Sequence, residues 1–271
     1  MFDFFHYDFM RTALLSGVLV SIACGIVGSL VVVNRLSALS GGIAHAAYGG
    51  LGLAVLFRWP PLFGAVLFSL AASAVMGYVN QRNKERSDTV IGVVWAAGMA
   101  LGILMIDLSK GYYVDMMSFL FGSILAVPWE SVVFMAALDI IIIGGVALLF
   151  KEFVGISYDE EFSLISGVPV KALYYILLAL IALSVVLLIR VVGLILVIAL
   201  FTIPASIAEM YTKNLKRIMV IASGLGIVFT ISGLLLSYFL NITSGATIIL
   251  VAVATYTIAL GGSKFRIRKV H

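Results

Sequence analysis

The sequence predicts an all-α polytopic membrane protein, and three observations carry that prediction. Of its 271 residues, 63% are hydrophobic and only 11% are charged, with a mean hydropathy of +1.19, far outside the range of a water-soluble domain. The apolar residues fall into nine runs of bilayer-crossing length, near 13–33, 41–57, 61–80, 90–107, 131–150, 169–188, 191–210, 217–240 and 244–261. The basic residues are segregated. With the N-terminus outside, Arg11, Arg58, Lys110 and Arg190 face out, whereas Arg35, Arg82, Lys84, Arg86, Lys151, Lys171, Lys213, Lys216, Arg217, Lys264, Arg266, Arg268 and Lys269 face the cytoplasm. Residues 1–271 then form one transmembrane domain with a basic cytoplasmic tail at 263–271, and the net charge of +4 records orientation rather than nucleic-acid binding.

Taken in order, Met1 to Asp8 holds Asp3, His6 and Asp8 instead of a basic start, and no small-residue cleavage site follows, so a cleaved signal peptide is not expected. The first run contains the lone cysteine, Cys24, which excludes an intrachain disulfide. The second is unusual. Ala38, Gly42, Ala46, Gly50 and Ala54 recur every four residues, giving a ridge almost without side chains that lets a neighbouring helix approach closely. Gly41, His45 and Gly49 form the adjacent ridge, which places His45 on a tightly packed face. An imidazole at membrane depth needs a partner or a task. Two readings are open: a neutral histidine bonded to a helix carbonyl, or a residue that handles a substrate cation.

The stretch 108–130 has an apolar core too short to span, and aromatic residues flank it. It reads as a short re-entrant or interfacial segment on the outer face, with Tyr112, Tyr113 and Trp129 at headgroup level. On the inner side, residues 151–171 carry Asp159, Glu160 and Glu161 at a helix start, Phe162, Leu164 and Ile165 on an apolar face, and Gly167 with Pro169 as a stop. That is a short amphipathic helix whose acidic start suits a protein partner better than anionic lipid. A solvated connector is the other reading.

Farther on, Pro204 interrupts the seventh run, and Glu209 follows at its inner end. Asp139, mid-way through the fifth run, is the most deeply placed charge. Each carboxylate is either paired or protonated, or takes part in handling substrate. His6, His45 and His271 are too dispersed for an intramembrane metalloprotease, which needs a His-Glu-x-x-His cluster. A secondary transporter would use Asp139 and Glu209 as relays, and inverted repeats would mark it. No phosphate-binding Gly-x-x-x-x-Gly-Lys-Ser/Thr loop occurs, so the chain is not itself an ATP-hydrolysing enzyme, and any hydrolysis falls to a partner.

Five segments extend this reading: Val-Val-Asn-Arg-Leu-Ser-Ala-Leu-Ser-Gly-Gly-Ile-Ala-His-Ala-Ala-Tyr-Gly-Gly at 32–50, Phe-Leu-Phe-Gly-Ser-Ile-Leu-Ala-Val at 119–127, and the stretches 157–170, 192–205 and 232–246. Over about residues 12–262 they resemble the permease subunit of ABC-type divalent-metal importers, the family that carries zinc, manganese or iron. The resemblance implies an ABC importer permease fold related to the vitamin and siderophore type. It also implies a multi-pass inner (plasma) membrane homodimer, cytoplasmic ABC ATPase subunits that hold the ATP, and an extracytoplasmic metal-binding protein. The divalent ion is then cargo, and no cofactor is bound by this chain. His45 falls on the family histidine, and Glu209 or Asp139 would supply an oxygen ligand. Where many members have an aspartate four residues earlier, this chain has Gly41. The docking segment, about 155–170, would couple to the ATPase through Asp159, Glu160, Glu161, Phe162 and Gly167. A permease for a chelated metal or vitamin is the neighbouring alternative.

Overall fold

The computed structural model describes residues 8–82, 87–109 and 116–268. Eight helices are long and apolar enough to cross a membrane. They are α1 (Asp8–Val33), α2 (Ser37–Phe57), α3 (Pro61–Arg82), α4 (Ser87–Leu108), α6 (Trp129–Leu148), α9 (Val170–Val192), α11 (Leu215–Leu240) and α12 (Ser244–Arg268). Between them lie α5 (Met116–Phe121), α7 (Phe150–Tyr158), α8 (Glu160–Ile165) and α10 (Val197–Tyr211). The described residues contain no strand, as lipid demands of a chain that must satisfy its backbone internally.

The seventh expected span differs in form. The chain turns over at Gly193, makes a single tight turn at Leu194–Leu196 and then forms the fifteen-residue α10, about 22 Å long at 1.5 Å per residue. Nine expected crossings are therefore eight full helices and one shorter one. The cause is local. Gly193 has φ +80° and Gly122 φ +74°, and a Cβ on either would run into the backbone of the other's segment. Two glycines thus let the 116–127 segment press against the C-terminal end of α9. That segment does not span: it is a six-residue helix and one tight turn, and Ile124 is fully buried and packs toward Gly17 of α1. Trp129 is 58% exposed at the start of α6. Tyr112 and Tyr113 lie outside the described residues.

α2 is the most enclosed of the long helices. It packs on α3, α4, α9 and α10. At the α2–α3 crossing Gly50 faces Gly64, where a methyl group on Gly64 would come within 2.8 Å of Ala54 Cβ. A side chain larger than hydrogen at either glycine would force the helices apart. Elsewhere α1 and α11 are joined where the buried Ser21 and Thr230 hydroxyls lie 3.1 Å apart: one donates to the other, which donates to a carbonyl of its own helix, Gly17 or Gly226. The ends assigned to one side gather in space: Asn34, Arg82, Ile156, Glu160 and Lys171 line one cleft, and Gly122, Ser123, Tyr238, Asn241 and Ser244 another.

Candidate functional site

The small-residue packing of α2 places His45 in the interior, 8% exposed. Its imidazole stacks on the indole of Trp95 in α4, with ring centroids 4.1 Å apart and planes 7° from parallel. Trp95 in turn directs Nε1 to the sulfur of Met99, 3.1 Å away. Nδ1 of His45 is buried and has no hydrogen-bond partner, so the helix-carbonyl bond open in the sequence reading is not made by this nitrogen. An orphaned buried nitrogen next to an aromatic and a thioether wants a donor proton or a cation.

One turn earlier, Gly41 faces α10. A Cβ built there would come 2.5 Å from Ile198 Cδ1, so the volume an aspartate would need is filled by an isoleucine methyl. The missing carboxylate and the presence of Ile198 are two sides of one packing arrangement.

Asp139 is 2% exposed in α6, and neither carboxylate oxygen has a hydrogen-bond partner. It lies within electrostatic range of the buried thiol of Cys24 in α1. Glu209, at the inner end of α10, pairs with Lys213 at 3.5 Å across an exposed i, i+4 step, a contact worth about 0–1 kcal/mol. His45, Asp139 and Glu209 therefore stand on three different helices. Among the described residues no three His, Cys, Asp or Glu side chains gather closely enough to hold one ion. Soft burial of small residues drives the helices together here, and nothing in that packing requires the charges to meet.

The 150–165 segment folds as two short helices, α7 and α8. Asp159 caps α8: its side chain accepts from the Phe162 N–H at 2.8 Å, and its carbonyl accepts from the Ser163 hydroxyl at 2.8 Å. Gly167, at φ +82°, ends the turn after α8. The cap turns Ser163 inward and leaves Phe162 65%, Leu164 65% and Ile165 85% exposed. Three large apolar side chains stand exposed on one acidic-headed turn. Glu160 and Glu161 occupy its first turn, where negative charge suits the helix dipole.

Trp95, Met99 and Ile198 were not singled out from sequence. Gly98 and Gly102 on α4, four residues apart, match the small ridge of α2 and were the available signal.

With its enclosed helix, its short 116–127 segment and its exposed α8 turn, the fold is that of a membrane permease. Residues 6–262 match the ABC 3 transport family, and the chain belongs to that family. It is 52% identical over 255 residues to the membrane protein slr2045 of Synechocystis sp., covering 94% of this chain and 91% of that one. It is 37% identical over 254 residues to the manganese transport system membrane protein MntC of Listeria monocytogenes, covering 94% and 90%. Among solved structures, PsaBC from Streptococcus pneumoniae in complex with Fab superimposes with a TM-score of 0.87 at 29% identity, covering 95% of this chain and 92% of that one.

Proposed function

We propose that this chain is the membrane-spanning subunit of an ATP-driven importer of divalent metal ions, with manganese the first cargo to test and zinc or iron its chemical neighbours. The observation that carries this reading is the full-length likeness to a manganese transport membrane protein, 37% identical across 94% of the chain. A single histidine suits passage better than a closed four-ligand cage, because cargo must be released. Two copies of the chain around a two-fold axis would bring two His45 imidazoles to one path. Glu209 would stand near its inner mouth. Asp139, sealed beside Cys24, is the least placed of the three to touch an ion, and its contribution would require the helices to move.

Hydrolysis of ATP falls to cytoplasmic partner subunits, since the sequence has no phosphate-binding loop. Those partners would dock on Phe162, Leu164 and Ile165, with Asp159, Glu160, Glu161 and Gly167 holding the shape of the turn. A metal-binding protein would deliver the ion on the outer face. Residues 1–271 act as one permease domain in the inner (plasma) membrane, N-terminus outside and C-terminus cytoplasmic, as the basic residues dictate. Affinity purification of the full chain tests this. A stoichiometric ATPase whose hydrolysis rises with manganese is the expected result, and a chain that purifies alone and exchanges manganese down a proton gradient would overturn it.

A further inference from the structure

At the cytoplasmic ends of α3 and α9 the chain opens a cleft of about 740 Å³ that the transport reading does not use. Tyr78, Asn80, Arg82, Lys171, Tyr174 and, from α8, Glu160 are on its walls. The walls are held in place. The Asn80 amide donates to the Tyr174 hydroxyl at 2.6 Å, while its carbonyl oxygen accepts from the Ser87 hydroxyl at 2.7 Å. The Arg82 guanidinium lies 4.6 Å from the centroid of the Tyr78 ring. Below them Gly77 keeps α3 close to Tyr174 and Tyr175 of α9.

The charge in the cleft is unbalanced. Two cations face one carboxylate, and among the described residues neither Arg82 nor Lys171 makes an ion pair. A concave, polar and aromatic wall with uncompensated positive charge selects a phosphate group. The tyrosines mark the depth, because phenol rings sit where hydrocarbon gives way to headgroups. Deeper on α3, on the helical face that carries Tyr78 and Arg82, Val75 is 52% exposed, so an apolar track continues from the cleft toward the bilayer. A free phosphate would satisfy the cations and leave that track empty.

We propose that this cleft binds the headgroup of an anionic phospholipid of the inner leaflet. Its phosphate lies between Arg82 and Lys171, its polar head contacts Asn80 and Tyr174, and a chain runs over Val75. Basic pockets between transmembrane helices on the cytoplasmic side are suited to such headgroups. Glu160, the first residue of α8, faces the same space, so the occupant stands beside the docking turn.

The test titrates the full-length protein in neutral detergent with short-chain phosphatidylglycerol and, separately, with the matching phosphatidylcholine. Phosphatidylglycerol is expected to bind about thirtyfold more tightly, because both lipids offer a phosphate but the choline ammonium of phosphatidylcholine cancels the net charge that two cations attract. Arg82→Gln with Lys171→Gln should abolish that preference, and Arg82→Lys should retain most of it. If the double variant does not elute as a single species, Lys171→Gln alone should lose about fivefold. Equal affinity for the two lipids, or a preference unchanged by these substitutions, overturns the proposal. Displacement of the lipid by millimolar inorganic phosphate would overturn it in favour of a free anion site.

Discussion

The hydroxyl of Tyr158, at the end of α7, donates a hydrogen bond to the backbone carbonyl of Lys213, just beyond the end of α10. That bond ties the segment bearing the exposed α8 turn to the helix whose Ile198 fills the space beside Gly41 of α2. Under the proposed docking of an ATPase on the α8 turn, these contacts would link that turn to the helix carrying His45. Tyr158→Phe removes one O–H and keeps the ring. We expect ATPase binding to persist while metal moved per ATP falls about fivefold, the range a single net hydrogen bond supplies. Parallel uptake and hydrolysis assays check this.

The same bond has a pH signature. Burial, and secondarily the Glu209 carboxylate, push the Tyr158 hydroxyl above its ordinary value of 10.0. Since the folded value is raised, the bond's contribution is fully present below the unfolded value and lost only as pH climbs through the folded one. Coupling through Tyr158 should be flat across neutral pH and decay above about pH 10. Tyr158→Phe should lack that alkaline decay in the transport-to-hydrolysis ratio.

Asp159 and Gly167 bracket the docking turn without supporting the core. Asp159→Ala removes a cap worth about 1 kcal/mol, and Gly167→Ala, where a Cβ would meet nothing, adds only the backbone strain of φ +82°, about 1–2 kcal/mol. Both variants should remain folded yet bind the ATPase about tenfold more weakly by co-elution titration. Glu161→Gln should act in the same direction, more weakly. Phe162→Ser should lower ATPase affinity with no change in thermal midpoint, because its ring is already exposed.

Trp95 holds the His45 ring by stacking. Trp95→Ala should free the imidazole and raise the KM for metal uptake severalfold, whereas Trp95→Phe should retain most of the stack, worth about 1 kcal/mol.

Gly41→Asp alone drives a carboxylate into Ile198 and should lower stability by about 1–3 kcal/mol. Combined with Ile198→Ala, it should restore stability and tighten manganese binding relative to the unaltered chain. Isothermal titration of the single and double variants separates the two effects.

Much of this architecture was legible because lipid simplifies the code. Runs of apolar residues set the helices, and the distribution of Arg and Lys separated the ends that Arg82 with Lys171 and Ser123 with Asn241 now bring together. The short capped helix α8 was readable because Asp159, Phe162 and Gly167 act through local rules of capping and termination. What lay beyond reach was pairwise packing. Nothing in the periodicity of α4 says that Trp95 meets His45, and hydropathy could not show that Gly193 with Gly122 would divide the seventh span from its neighbour at that point. Asp139 and Glu209 attracted attention as rare charges, yet rarity carries no information about distance, and they settled on separate helices.

The central claim meets its most direct test in sealed vesicles containing the full-length protein with its ATPase partner and internal ATP, oriented so that the outer face sees radioactive manganese. The account predicts accumulation that stops without ATP or without the ATPase and falls at least tenfold with His45→Ala in a correctly folded protein. Accumulation that continues with neither ATP nor the ATPase, or that is indifferent to His45→Ala, would contradict it.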